Sequence, residues 1–211
     1  MLNFLFPKVC GICGEKINER YTCTKCLNIL EYYQGRHLSF ESCETYYDEL
    51  ICLYPYKGIL KSKMLQLKFY RHTYLAKTFG DIVAYTITKR KIKADYIIPV
   101  PISQKRLRER GFNQTELMAK TISQLTNINM KSKILNKTKD NLKQSMVELN
   151  QRSKNVSQVY EIKKNNEIKG RTVILLDDIY TTGATMNECA KILKKNGVAK
   201  VIAIAVLYSI K

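Results

Sequence analysis

At 211 residues and 45% hydrophobic content, the chain is long enough for one α/β domain with its own core and a small appendage. Its net charge of +18 lies entirely in residues 51–211, because residues 1–50 hold five basic and seven acidic side chains. This asymmetry is typical of a region that binds nucleic acid or a membrane surface, although solvated lysines give the same count.

The first pattern along the chain is a set of four cysteines. Cys10 and Cys13 form one CxxC pair, and Cys23 and Cys26 form a second after nine intervening residues. Two CxxC knuckles supply the four thiolates of a tetrahedral zinc site, and four closed ligands leave no position for catalysis. We therefore predict structural zinc in a small zinc-ribbon domain. Residues 1–50 form this segment and its connection, with His37 or Cys43 as alternative ligands.

Alternating strands and helices are predicted beyond the cysteines. In chain order they are a short helix at 27–35, a strand at 51–56, helices at 59–70 and 74–90, a strand at 95–102, a helix at 113–125, a strand at 132–138, a short helix running into another within 148–160, and a βαβ unit over 171–208. Asn113 is the expected cap of its helix, with Glu116 at the capping-box position. Apolar, β-branched strands between helices predict a parallel sheet covered on both faces.

The stretch LLDDIYTTGAT at 175–185 contains the residues that predict a ligand site. Asp177 and Asp178 end a strand, and the following turn into a helix offers free backbone N–H groups and threonine hydroxyls, which together bind phosphate. Adjacent carboxylates beside such a cup suit the 2′ and 3′ hydroxyls of a ribose, or the waters of Mg²⁺. The pattern therefore predicts a ribose 5-phosphate site, and the absence of GxxxxGK[ST] excludes a Walker A motif.

The apolar stretches at the two ends predict neither export nor a membrane span. Residues 1–6 lack a basic start and stop at Pro7, and residues 201–208 are far too short to cross a bilayer. We therefore expect a cytoplasmic protein, in which cysteines are reduced or metal-bound.

Two segments resemble a known family. VILLDDIYTTGAT (173–185) resembles the phosphoribosyl pyrophosphate (PRPP) motif of type I phosphoribosyltransferases. PVPISQKRLRERGFNQTELMA (99–119), together with the paired CxxC segment, resembles the ComF family of competence proteins, including ComFC-like members. The resemblance implies a parallel-sheet type I phosphoribosyltransferase fold over residues 51–211, preceded by the zinc ribbon.

The resemblance also implies roles for individual residues. The ribose hydroxyls would be held by Asp177 and Asp178, and the pyrophosphate of a Mg²⁺–PRPP complex would meet Arg110 and Gly111 in a loop after the strand at 95–102. The 5′-phosphate would lie on the turn formed by Thr181, Thr182, Gly183, Ala184 and Thr185. A mobile loop would carry Gln144, Arg152 and Asn155.

The acceptor of a transferase reaction is not indicated by any segment. Residues 54–93 instead combine ten lysines and arginines with one acid, Asp81, and with interleaved aromatics, a composition typical of single-stranded nucleic acid binding. The alternative is that most of these aromatics face the core of two amphipathic helices. The DNA-contacting residues we predict are Lys61, Lys63, Lys68, Arg71, Arg106 and Arg108.

Three functions remain open at this stage. The ComF resemblance favours a protein of natural transformation that binds single-stranded DNA and a PRPP-like ligand and handles imported DNA. The second is an active phosphoribosyltransferase with an unidentified acceptor. The third is a module that recruits DNA-uptake or recombination proteins, with a vestigial sugar-phosphate site.

Overall fold

A computed structural model of the chain describes residues 8–33, 45–138, 159–162 and 166–209. Within these ranges, none of the helices combines the length and the apolar character that spanning a bilayer requires.

Five parallel strands form the main sheet, in the order β1-β7-β6-β2-β3. The strands are β1 (Glu49–Pro55), β2 (Tyr96–Pro99), β3 (Asn129–Met130), β6 (Thr172–Tyr180) and β7 (Lys200–Tyr208). The helices are α1 (Thr24–Tyr33), α2 (Gly58–Phe69), α3 (Tyr74–Lys89), α4 (Gln104–Arg110), α5 (Gln114–Thr126) and α6 (Ala184–Lys195). The predicted parallel α/β fold is confirmed.

Both faces of the sheet are buried, which explains why β6 reads as a continuous apolar run. Ile174 and Leu176 point into a core built with α2, α3 and α5, whereas Val173 and Leu175 point into a second core built with α6. The same alternation sends the next two side chains, Asp177 and Asp178, toward opposite faces of the sheet.

A second, two-stranded sheet replaces part of a predicted helix. Strand β4 (Leu135–Lys137) pairs antiparallel with β5 (Tyr160–Ile162), so the helical prediction for 148–160 is wrong at Tyr160. Residues 139–158 lie outside the described ranges. Tyr160 is buried in the core built with α6. The pairing of β4 with the distant β5 therefore determines its conformation, in place of the locally predicted helix.

The cysteine segment is anchored to α3 through Asp81, which is fully buried. The backbone N–H groups of Tyr21 and Thr22 donate to Asp81 Oδ2 at 3.0 and 2.9 Å, and Arg20 Nη2 lies 2.6 Å from Oδ1. The single acid of the basic segment is therefore a structural link, held by two backbone N–H donors and an ion pair from the three residues that precede Cys23.

Candidate ligand site and metal centre

The acidic pair lies near the carboxyl end of β6, where ligands of parallel sheets bind. Asp178 is 5% exposed and Asp177 is half-buried. The backbone N–H of Asp178 donates to Asp177 Oδ1 at 2.8 Å, which fixes the orientation of that carboxylate. The two acids thus occupy the predicted edge of the sheet, one on each face.

The turn after β6 leads into α6, as predicted for a phosphate cup. Gly183 is the N-cap of α6 in a left-handed conformation (φ 76°), and a Cβ there would lie 2.5 Å from the hydroxyl of Tyr180. Thr181 and Thr182 are exposed, and Thr182 Oγ1 accepts from the backbone N–H of Ala184 at 3.4 Å. Glycine is required on both counts, and the exposed Thr181 and Thr182 lie at the start of the helix, where a phosphate would bind.

A chain of contacts joins Asp178 to Arg110. Asp178 Oδ2 lies 2.7 Å from Lys68 Nζ and accepts from Gln114 Nε2 at 2.5 Å. Arg110 in turn donates to the side-chain oxygen of Gln114, and its guanidinium lies 5.8 Å from the centre of the Phe69 ring. The structure therefore brings together Asp178 and Arg110, which lie 68 positions apart in the sequence.

Arg110 ends a helix, although a loop was expected there. Residues 104–110 form α4, because the Ser103 side chain caps its start by accepting from Arg106 N, and Gly111 (φ 86°) ends it in a left-handed conformation. The loop expected at this position is thus reduced to the few residues between α4 and α5. Burial lowers the pKa of Arg110 from its usual value, with Arg106 acting in the same direction, whereas Asp178 and Glu109 oppose the change.

The two carboxylates differ electrostatically. Burial, reinforced by the charge of Asp178, raises the pKa of Asp177 to about 7. A hydrogen bond from the Asp178 backbone and the nearby cations Lys68 and Lys137 only partly offset this increase. Asp177 therefore exchanges a proton near neutral pH, and a bound cation or hydroxyl donor would favour its ionised form.

Three residues of the site were missed in the sequence. They are Gln114 on α5, Lys137 on β4 and Tyr160 on β5. Burial raises the pKa of Tyr160, the Thr185 side chain of the phosphate turn acts to lower it, and Lys137 Nζ lies 5.3 Å from the centre of the Tyr160 ring. The small β4–β5 sheet thus places a cation and a phenol beside Asp177, a role that its three-residue strands do not reveal.

The residues predicted to contact DNA fall into two groups. Lys68, Arg71 and Arg106 line a cavity of about 140 Å³ together with Phe69, Glu109 and Arg110. Lys61, Lys63 and Arg108 lie elsewhere on α2 and α4, with Lys61 over the ring of Tyr56. The assignment of all six to DNA stays a prediction, and the ion pair of Lys68 with Asp178 gives Lys68 a further role in the ligand site.

The aromatic residues of 54–93 include both buried and exposed side chains. Tyr54 and Phe79 are core residues, at 3% and 0% exposure. Phe69, Tyr70 and Tyr74 are 68%, 70% and 50% exposed and cluster at the turn between α2 and α3, beside the cationic cavity. The core interpretation thus holds for the first two residues. Of the three exposed rings, Phe69 already contacts the guanidinium of Arg110 and Tyr74 stacks with His72 at 5.8 Å.

The remaining predicted ligand residues cannot be placed. Gln144, Arg152 and Asn155, assigned to a mobile loop, lie outside the described residues, as do the alternative metal ligands His37 and Cys43.

The four predicted cysteines converge, with all four sulfurs within 4.8 Å of one another. Cys13 Sγ lies 3.7 Å from Cys23 Sγ, whereas tetrahedral zinc with Zn–S bonds of about 2.3 Å requires sulfurs about 3.8 Å apart. Burial disfavours the thiolate of Cys10, but hydrogen bonds from the backbone of Cys13, Cys23 and Ile12 outweigh it and lower its pKa to about 7. The cluster fits a tetrahedral thiolate-bound metal ion.

One family model matches the C-terminal part of the chain. The family model of the phosphoribosyl transferase domain matches residues 115–210, which contain α5, the acidic pair and the phosphate turn. With its parallel sheet, this part of the chain has the fold of type I phosphoribosyltransferases. Strands β1 and β2 precede the matched residues but belong to the same sheet.

Similarity to individual proteins extends over nearly the whole chain, and the similar proteins include ComFC-like competence proteins. Competence protein ComFC of Bacillus subtilis is 28% identical over 91% of this chain and 80% of its own length. Competence protein F of Haemophilus influenzae is 27% identical over 92% of this chain and 87% of its own, and DNA utilization protein YhgH of Escherichia coli K12 is 26% identical over 74% and 70%.

The similarity to solved structures is more distant. Adenine phosphoribosyltransferase of Saccharomyces cerevisiae superposes with a TM-score of 0.48 at 14% identity, covering 89% of this chain and 90% of that protein. At this distance the likeness supports no statement about function.

Proposed function

We propose that the protein binds PRPP, or a related phosphoribosyl ligand, at the edge of the sheet formed by Asp177, Asp178 and the turn Thr181–Thr185. The observation that carries this proposal is the placement of two carboxylates, a helix N-terminus with exposed hydroxyls, and Arg110 around one edge. Carboxylates suit ribose hydroxyls and Mg²⁺, whereas the helix start and the guanidinium suit phosphates.

Single-stranded DNA is the second proposed ligand. Exposed Phe69, Tyr70 and Tyr74 lie beside the cavity lined by Arg71 and Arg106, and cationic grooves with exposed aromatics bind single strands by backbone charge and base stacking. This surface adjoins the edge of the sheet that holds Asp178. We therefore expect the 5′-phosphate of a DNA strand to bind at the Thr181–Thr185 turn.

The biological setting follows from the relatives. Two of them are named competence proteins and one a DNA utilization protein, and their similarity extends over 74–92% of this chain. We therefore propose a role in handling imported DNA in the cytoplasm during natural transformation. We propose that residues 1–50 form a separate small domain. Zinc held by its four cysteines would stabilise this domain where it packs on α3.

Calorimetric titration of PRPP with Mg²⁺ tests the ligand site. The wild-type protein should bind, Asp177→Ala should weaken binding, and Thr182→Val should weaken it by removing a phosphate donor. Equal affinity in the wild type and in the double variant Asp177→Ala/Asp178→Ala would contradict the assignment. Release of pyrophosphate during the titration, with water accepting the ribosyl group, would show in addition that the site cleaves PRPP.

A further inference from the structure

The turn between α2 and α3 contains an unusual backbone conformation. Arg71 has a φ of 57°, in the left-handed region that is costly for any residue with a Cβ. It directly follows the C-cap Tyr70, at the position where helices most often carry glycine. An arginine is less favourable here than glycine would be, so a change to glycine removes the side chain without straining the turn.

The side chain of Arg71 lines the cavity of about 140 Å³ next to Asp178. Arg106 and Arg110 of α4 line the opposite side, and Lys68 of α2 completes a set of four cations around it. Among the described residues, Glu109, the ion-paired Asp178 and, through Lys68, Asp177 offset part of these charges. The cavity therefore has a net positive charge and is small enough for a compact, multiply charged anion.

The two sides of the cavity are held together by Phe69. Its ring lies 5.8 Å from the guanidinium of Arg110, so the end of α2 packs against the end of α4. This contact places the end of α2 beside the end of α4 in the wall of the cavity.

We propose that this turn is a second arm of the pyrophosphate site, in which Arg71 and Lys68 bind the anion together with Arg106 and Arg110. The proposal deepens the proposed function and rests on it for the identity of the full ligand. It assigns Arg71 to the pyrophosphate rather than to the backbone of DNA. Lys68, already 2.7 Å from Asp178, joins the pyrophosphate half of the ligand to the ribose half.

The decisive variant is Arg71→Gly, because it relieves the strained backbone while removing the cation. Its matched control is Lys91→Gly, which removes one positive charge at the other left-handed basic position (φ 53°), after α3 at the opposite edge of the sheet. Both variants should melt at or above the temperature of the wild type. A residue with only a structural role in this turn would not show a loss of binding together with retained stability.

Titration with inorganic pyrophosphate and, separately, with ribose 5-phosphate gives the readout. We expect Arg71→Gly to weaken pyrophosphate binding about tenfold, with Lys91→Gly unchanged and ribose 5-phosphate affinity unaffected by either. Arg71→Asn, which also tolerates the left-handed conformation, should repeat the result without added chain flexibility.

The outcomes separate this proposal from the proposed function. Absence of pyrophosphate binding in the wild type, or equal weakening by Arg71→Gly and Lys91→Gly, would overturn the second arm. Pyrophosphate binding that depends on Arg71 in a protein that binds no ribose 5-phosphate would support the second arm and contradict the PRPP assignment.

Discussion

Lys68 and Asp178 form an ion pair of 2.7 Å between the last turn of α2 and the end of β6, with side-chain exposures of 14% and 6%. Because both charges are nearly desolvated, each depends on the other and on the hydrogen bond from Gln114. The pair thus fixes the position of the helix that carries Phe69 relative to the edge where the ligand is proposed to bind.

Replacing Lys68 by methionine should destabilise the protein by about 3 kcal/mol, since it leaves the Asp178 carboxylate buried without its cation. Adding Asp178→Asn should restore part of this loss, and a double-mutant cycle from urea unfolding measures the coupling. Lys61→Met, an exposed lysine on the same helix, is the control and should change stability by at most about 0.5 kcal/mol. Additive effects of the two site changes would rule out the coupling.

The raised pKa of Asp177 predicts a pH dependence of stability in the ligand-free protein. Its pKa is about 7 in the folded state against 3.8 for an unperturbed carboxyl, so between these values the folded protein binds more protons than the unfolded chain. The unfolding free energy should therefore decrease as the pH rises through this window, by at most about 1.4 kcal/mol per pH unit, and the loss is complete above pH 7.

Asp177→Asn isolates this effect, because the variant lacks the titrating group but keeps every other one. The stability difference between wild type and variant, measured by urea unfolding from pH 4 to 8, should decrease up to about pH 7 and then level off. A difference that is constant across the range would show that Asp177 is ionised throughout.

Local signals predicted the fold well, whereas the contacts of the site depend on distant residues. Asn113 caps α5 as predicted, since its side chain accepts a hydrogen bond from the backbone N–H of Thr115. It does so although the preceding helix ends only three residues earlier, at Arg110. The Lys68–Asp178 pair joins positions 110 apart in the sequence, and hydrophobic periodicity does not predict such a contact. Tyr160 was assigned to a helix because a three-residue strand is too short for a recognisable alternation. Arg71 was unexpected in the left-handed region, where glycine and asparagine are the usual signals.

The metal centre should hold one zinc per chain, measured by elemental analysis of freshly purified protein. Cys10→Ser and Cys23→Ser should lose the metal and lower the melting temperature, because metal binding contributes directly to the stability of such segments. Cys52→Ser is the matched control, since this buried thiol of β1 lies outside the cluster and its loss should destabilise the protein without releasing zinc. Purified protein without zinc would contradict the assignment.

Binding of single-stranded DNA should show little sequence preference and should weaken strongly with salt. Lys61→Gln, Lys63→Gln and Arg108→Gln should each reduce the slope of log affinity against log salt by about 0.7, the value expected for one lost phosphate contact to a single strand. Lys169→Gln is the control, because this exposed lysine precedes β6 at the opposite edge of the sheet. Equal slopes in all four variants would remove these residues from the DNA surface.

Competition between PRPP and DNA decides whether the two proposed ligands share the Thr181–Thr185 turn. If they do, an oligonucleotide with a 5′-phosphate should bind better than its 5′-hydroxyl counterpart, and PRPP should displace the former more effectively. Thr182→Val should abolish this preference while leaving the salt slope unchanged, because it removes a hydroxyl and no charge. Fluorescence anisotropy with both oligonucleotides, in the presence and absence of PRPP, measures each effect. Displacement of neither form by PRPP would place the two ligands at separate sites, and failure of DNA to bind even at low salt would favour the transferase.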